Sequence, residues 1–257
     1  MSLVVYGDFN CPWSYLASRR VDALASAGVD IEWRAVEHDP QLPVTGRAPD
    51  ADEQIAIKNE LAAVSELLLA DEQLPLSEPQ LIPKTEAAVA AFAEACGAGV
   101  ANDVRRLLFA AYWVDGTNIG DPETLRKLLA GPLLRGRSGS VPLSEHGLAV
   151  TASGGPITTG AWRRVRDWRA AWNRLGSGVV PTLVEDGDAP ITGAAALRRL
   201  AEEITRVGAD LNPDLPDPAR FPSIPDRPPK TWVSQVGGRW SHAWKGSGGE
   251  GASDAAA

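Results

Sequence analysis

The stretch Leu3-Val4-Val5-Tyr6-Gly7-Asp8-Phe9-Asn10-Cys11-Pro12-Trp13-Ser14-Tyr15-Leu16 changes character part-way. Leu3 to Tyr6 is short, β-branched and aromatic, the composition of a buried strand, and Gly7-Asp8 ends it. Asn10-Cys11-Pro12 then opens a helix, because proline suits the first helical position, where its missing N–H costs nothing. Ala17, Val21 and Leu24 follow at i, i+4 and i+7, and Gly28 stops the helix. From Asp30 to Ala35, Ile31, Trp33 and Ala35 alternate with polar residues, which predicts a second strand. A strand, a helix and a strand within about 35 residues leave room for a parallel crossover.

Outward from this unit, the remaining chain reads as helices and then a mixed closing segment. Residues 36–49 are irregular. Apolar stripes at Ile57, Leu61, Val64 and Leu68, at Val89, Phe92, Ala93 and Cys96, and at Val104, Leu107, Leu108 and Ala111 predict three helices. Asp121-Pro122 starts a fourth, with Leu125, Leu128 and Leu129. We take 50–131 as an inserted helical subdomain and 132–160, rich in Gly, Ser and Thr, as a loop-rich connection. Residues 161–175 return to helix, 179–185 read as a strand containing Pro181, and Asp186-Gly187 signals a hairpin to a short strand at Pro190-Ile191-Thr192. A last helix carries Leu197, Leu200, Ala201 and Ile204. Residues 1–36 and 161–208 would then form one discontinuous α/β domain sharing a sheet, with helices on its faces. Residues 209–257 are rich in Pro, Gly and Ser and are expected to be extended or disordered, with Trp232, Trp240 and Trp244 available for docking.

Composition limits the function. The 257 residues are 44% hydrophobic and 23% charged, which suits a globular chain and excludes a fibrous or wholly disordered one. A net charge of -8 gives no overall attraction to nucleic acid or anionic membrane. No run approaches the roughly 20 apolar residues of a membrane span, and no basic, apolar leader is visible. The expected location is the cytoplasm, with reduced thiols. Two cysteines, Cys11 and Cys96, are too few for a disulfide scaffold. His38, His146 and His242 are scattered without ligand spacing, so no metal site is expected.

The chemistry points to Cys11. A cysteine at a helix N-terminus faces unpaired backbone N–H groups and the positive end of the helix dipole, and both stabilise a thiolate. Ser14 lies one turn on and can donate a hydrogen bond to the sulfur. A lowered Cys11 pKa is therefore expected, with a sulfur that solvent can reach. Trp13 would border the substrate. Cys96, on the stripe with Val89 and Phe92, reads as a core residue rather than a resolving thiol. Trp162, Val165, Trp168 and Trp172 read as a core stripe, with Arg163, Arg164, Arg166 and Arg169 on a solvated face.

Asp8-Phe9-Asn10-Cys11-Pro12-Trp13-Ser14-Tyr15-Leu16 resembles the active-site stretch of the DsbA-like branch of the thioredoxin superfamily. That branch includes FrnE-type disulfide oxidoreductases, 2-hydroxychromene-2-carboxylate isomerases and kappa-class glutathione transferases. Gly178-Val179-Val180-Pro181-Thr182 resembles the family's cis-proline loop, about 170 residues further along. Ile191-Thr192-Gly193-Ala194 resembles its closing β-α unit. The helical block matches its inserted domain in placement, as does Ala110-Ala111-Tyr112-Trp113 with Asp121-Pro122 and Leu125 after it. The resemblance spans residues 3–207. It implies a thioredoxin-like α/β fold with an inserted helical subdomain. It also implies a site in which Cys11 and Ser14 act, while Pro12, Trp13, Val180 and Pro181 bind substrate, the Val180 backbone being free to pair with it.

One position departs from the oxidoreductase pattern: the second cysteine of Cys-x-x-Cys is Ser14 here. No internal disulfide can form between these positions, and a mixed disulfide on Cys11 would need a second thiol, glutathione or another low-molecular-weight thiol, as cosubstrate. Pro12 and Tyr15-Leu16-Ala17 fit the isomerase and transferase side of the family, while Cys11 fits the oxidoreductase side. Three readings follow: a monothiol thiol-disulfide oxidoreductase acting on small or protein disulfides, a thiol-dependent isomerase or transferase, and a non-catalytic binding module. None needs a bound cofactor, nucleic acid or membrane, and a homodimer is left open.

Overall fold

A computed structural model describes residues 2–186 and 188–213. The proposed tail beyond 213, with Trp232, Trp240 and Trp244, lies outside the described residues. β1 (Leu3–Gly7) leads into α1 (Pro12–Ser26) and β2 (Ile31–Ala35). α2 (Ala51–Ser65), α3 (Glu86–Ala98), α4 (Ala101–Trp113), α5 (Pro122–Arg135) and α6 (Val141–His146) follow. α7 (Thr159–Leu175), β3 (Thr182–Glu185), β4 (Ile191–Thr192) and α8 (Gly193–Val207) close the described fold. The strands form one sheet in the order β2-β1-β3-β4, with β1 parallel to β2 and antiparallel to β3. This is the thioredoxin-like α/β arrangement that the resemblance implies, with helices α2 to α6 inserted between β2 and α7.

β1 lies in the middle because its side chains are apolar on both faces, so Leu3, Val5 and Tyr6 are all buried. Gly7 does more than end the strand. A Cβ there would sit 2.3 Å from Cη2 of Trp33, so only glycine lets the β2 indole cross the strand end. α1 is the central helix. Tyr15, Leu16, Ala17, Val21 and Leu24 are buried, and α8, α2 and α4 pack around it.

Polar side chains finish what apolar packing leaves open. Arg20 on α1 is 1% exposed. It donates to Glu72 from Nε (3.0 Å) and Nη2 (2.6 Å), to the Leu67 carbonyl (2.6 Å) and to the Leu197 carbonyl (2.7 Å). One guanidinium thus ties α1 to α8 and to the segment that follows α2. Arg105 on α4, equally buried, pairs with Asp22 of α1.

Several boundaries differ from the sequence reading. α2 starts at a capping box, with Asp50 and Glu53 bonding each other's backbone N–H groups. It ends before Leu68, and of its stripe only Val64 is buried, because the helix lies on the surface. α5 continues past Gly131-Pro132 to Arg135, and α6 forms within the segment expected to be loop. Pro132 is tolerated because it sits in the last turn, with Leu133 still buried against the core. The strand expected over 179–185 begins only at Thr182, and residues 186–190 separate β3 from β4, a longer connection than a two-residue hairpin. Gly187 of that turn is outside the described residues. Trp162 is 52% exposed beneath the Arg166 guanidinium, whereas Trp168 and Trp172 are buried. Arg169, expected on the solvated face, pairs instead with Glu37.

Removing one member of the Arg20–Glu72 pair leaves a buried uncompensated charge. Glu72→Gln is expected to lower unfolding stability by about 3 kcal/mol, and the double change Arg20→Met with Glu72→Leu to recover part of that loss. Denaturant midpoints of the three proteins check this; equal losses in both variants would contradict it.

Candidate active site

The loop between β1 and α1 is held from three sides. Phe9 is fully buried, its ring 5.0 Å from Phe109 and 6.0 Å from Phe92, and Trp113 Nε1 donates to its carbonyl at 3.0 Å. Asn10 Nδ2 donates to the Pro83 carbonyl at 3.2 Å. Asp8, also fully buried, accepts from the Phe9 N–H at 2.7 Å. Its other oxygen accepts the His38 backbone N–H at 2.8 Å and lies 2.7 Å from His38 Nδ1. The inserted helix α4 and the segment after β2 therefore fix the loop that presents Cys11.

Cys11 is the N-cap of α1, in an extended conformation (φ -105°, ψ 121°), and Pro12 occupies the first turn. The Val179–Thr182 segment faces it. The Val180–Pro181 peptide is cis, and the Gly193 N–H, from the start of α8, donates to the Pro181 carbonyl at 2.8 Å. The Cys11 thiol donates to the Val180 carbonyl at 3.7 Å. The structure thus brings Cys11, Ser14, Val180 and Pro181 to one end of the sheet, more than 160 residues apart in sequence between the two loops. Trp13, half-buried on the same turn, donates from Nε1 to Glu60 Oε1 at 2.6 Å.

The sulfur is not the exposed thiolate that its place in the sequence suggests. Cys11 is 6% exposed, and burial pushes its thiol up to about 12. Ser14's hydroxyl and backbone N–H pull the other way, and the carboxylates of Glu60 and Asp8 push up further. Helix-terminus donors stabilise an anion, but here removal of water from the sulfur outweighs them. The Ser14 hydroxyl is also shared, since it accepts the Asp8 N–H at 3.2 Å. The Val180 carbonyl, expected to be free for substrate, holds the thiol proton instead.

A sequence profile of the DSBA-like thioredoxin domain matches residues 2–131. The chain belongs to the DsbA-like thioredoxin family. Solved structures share the fold. A probable DsbA oxidoreductase from Streptomyces coelicolor aligns with a TM-score of 0.59 at 19% identity, over 88% of this chain and 99% of its own. A 2-hydroxychromene-2-carboxylate isomerase gives 0.54 at 21% identity, over 81% and 96%. The cytosolic disulfide reductase DsbM from Pseudomonas aeruginosa, solved with GSH, gives 0.53 at 17% identity, over 81% and 100%. No curated protein matches the sequence.

Within this DsbA-like frame, Cys96 stands apart from Cys11. It lines a cavity of about 350 Å³ with Ile31 and Trp33, where β2 begins, whereas Cys11 lies beyond the strand ends where Gly7 pairs with Ala35. It is half-buried rather than part of the sealed core. The sequence reading missed Asp8, His38 and Glu60. A signal existed for the first two: β1 and β2 run parallel and in register, so residues just past Gly7 and Ala35 must meet. His38 has a raised pKa. Burial alone would lower it, but the hydrogen bond and charge of Asp8, with Asp39 and Glu60, outweigh that. Nothing local marked Glu60, which arrives from α2. Among the described residues, no three His, Cys, Asp or Glu side chains gather as metal ligands, and no helix is long and apolar enough to cross a membrane.

In a Cys96→Ser background, the alkylation rate of Cys11 should rise about tenfold per pH unit through pH 10 without levelling, because the thiolate fraction is still growing. In denaturant the same thiol should level off above pH about 9. Iodoacetamide kinetics check this, and a plateau already at pH 8 in the folded protein would contradict the burial argument.

Proposed function

We propose that this chain is a monothiol thiol-disulfide oxidoreductase that works with a low-molecular-weight thiol in a reducing compartment. The observation that supports it is the pairing of one thiol, at the N-terminus of α1, with the backbone of the Val180–Pro181 loop. In the first step Cys11–SH and RSSR give Cys11–S–SR and RSH. The Cys11 sulfur bonds to one substrate sulfur, the S–S bond breaks, and the departing sulfur takes up a proton. In the second step a thiol R′SH attacks the mixed disulfide, giving RSSR′ and restoring Cys11–SH. The net change is RSSR + R′SH → RSSR′ + RSH: the disulfide bond passes to the incoming thiol, one substrate sulfur leaves as a thiol, and the protein returns unchanged.

The neutral thiol gives the first step a requirement. With the thiol pushed up to about 12 by burial, only a minute fraction of the sulfur is ionised at pH 7, so the resting arrangement reacts slowly. An extended substrate whose N–H pairs with the Val180 carbonyl would take over the acceptor that now holds the thiol proton. The sulfur is then left to the Ser14 donors, which favour the anion. Ser14 tunes the sulfur in this reading, Trp13 and Pro12 border the substrate, and Pro181 shapes the loop that presents it.

The same observation favours one second reading. A thiol that stays protonated at a helix N-terminus is a hydrogen-bond donor, suited to a bound cosubstrate thiolate in an isomerase or transferase of this family. Cys11→Ser separates the two, because serine keeps the donor and loses the nucleophile. With excess hydroxyethyl disulfide, intact mass should show one adduct on the protein and on Cys96→Ser, none on Cys11→Ser, and release by added thiol. Adduct formation unaffected by Cys11→Ser would overturn the exchange reading.

A further inference from the structure

Two carboxylates, Glu60 and Asp8, oppose an anion at the Cys11 sulfur. Asp8 is spoken for: it is fully buried, bonded to the Phe9 N–H and clamped to His38, whose raised pKa lets it offset that charge. Glu60 is different. It reaches over from α2, is only half-buried, and among the described residues has one hydrogen-bond partner, the Trp13 indole on Oε1. Oε2 has none. Its own carboxyl is raised by partial burial, against the Trp13 bond and the charge of His38. One residue before Cys11, Asn10 Nδ2 is used by Pro83 while its buried Oδ1 has no partner.

We infer that Glu60 sets the charge preference of the site, selecting small disulfides and thiols that carry an amine or other donor-rich, non-anionic groups next to sulfur and disfavouring polyanionic ones such as glutathione disulfide. This rests on the thiol-exchange reading above and narrows it. An anionic disulfide brings carboxylates toward a half-buried carboxylate in a medium of reduced dielectric, where like charges repel more than in water. A cationic one brings donors and a compensating charge to that carboxylate. The attacking sulfur also develops negative charge, so a cation carried by the substrate offsets what Glu60 adds.

The test measures mixed-disulfide formation at Cys11 by intact mass, in the Cys96→Ser protein at pH 8, with three probes. These are doubly positive cystamine, neutral hydroxyethyl disulfide and doubly negative glutathione disulfide. Each rate is divided by that of a free model thiol with the same probe. The expected order is cystamine, hydroxyethyl disulfide, glutathione disulfide, with about tenfold or more between the ends. Glu60→Gln keeps the side-chain shape and an acceptor for Trp13, and should shrink the cystamine-to-glutathione ratio by threefold or more. A merely structural role of Glu60 would change all three rates together and leave the ratio unmoved. Should Glu60→Gln fail to fold, raising ionic strength from about 0.01 to 0.5 M on the parent should shrink the same ratio by screening. Equal normalised rates for the three probes, or a ratio that neither change moves, would overturn the inference and leave the exchange reading standing. A Cys11 that no disulfide modifies would overturn the exchange reading, and with it this preference.

Discussion

Two opposed forces meet at the Cys11 sulfur, and the site's chemistry follows from which one wins. A helix N-terminus offers unpaired N–H donors and a positive field to any anion placed on it. Loss of water removes far more stabilisation from that anion than one or two donors return. In this fold the sulfur is tucked against the Val180 carbonyl, so dehydration wins and the proton stays. Position at a strand-to-helix switch thus sets where the thiol is, while packing of the loop opposite sets what state it is in.

That packing is supplied from far away in the chain. The Cys11 loop is anchored by Phe9, buried among Phe92 and Phe109 of the inserted helices, and by Trp113, which holds the Phe9 carbonyl. The facing loop is anchored where α8 begins, by the donor to the Pro181 carbonyl. α1 is locked to α8 through Arg20. The inserted helices therefore act on the site through the backbone that presents the sulfur, and through Trp13 and Glu60 at its rim. α2 is the weakest of these supports, with one buried side chain, Val64, so the rim has less holding it in place than the loop behind it.

The division between what the sequence disclosed and what it hid has a physical basis. β1, α1 and β2 were legible to within a residue or two, because Leu3 to Ala35 carries dense local signals: a β-branched run, Pro12 at a helix start, Gly28 at its end. The meeting of Cys11 with Val180 needed the two motifs together, since no local pattern links residues so far apart. Burial was not legible. Whether water reaches a sulfur depends on the seating of Val180, Phe9 and α2, none of which periodicity describes. The extension of α5 through Pro132 was hidden because proline reads as a stop, while Leu133 draws one more turn into the core. Trp162 lies outside the stripe of Trp168 and Trp172 because, at about 100° per residue, the buried Ala161 is the position in phase with them, and that phase was legible in the spacing.

A high thiol pKa bears on direction as well as speed. A thiolate of higher pKa is the better nucleophile per ion, with rate rising by about 0.4–0.5 of a decade per unit, yet its population falls by a full decade per unit. Burial is therefore a net loss for attack unless substrate binding reverses it. The same burial makes Cys11 a poor leaving group once it is in a mixed disulfide, so an incoming thiol does better to wait for the sulfur to be stabilised by the Ser14 donors. Strongly oxidising members of such chemistry owe their potential to a stabilised reduced thiolate. Without that stabilisation, Cys11 gains little from returning to the reduced state. On the exchange reading, the site is then suited to accept disulfides from substrates and pass them to a thiol in excess. On that same reading it would be less suited to impose disulfides on other proteins, because burial leaves its thiolate without the stabilisation that drives that step.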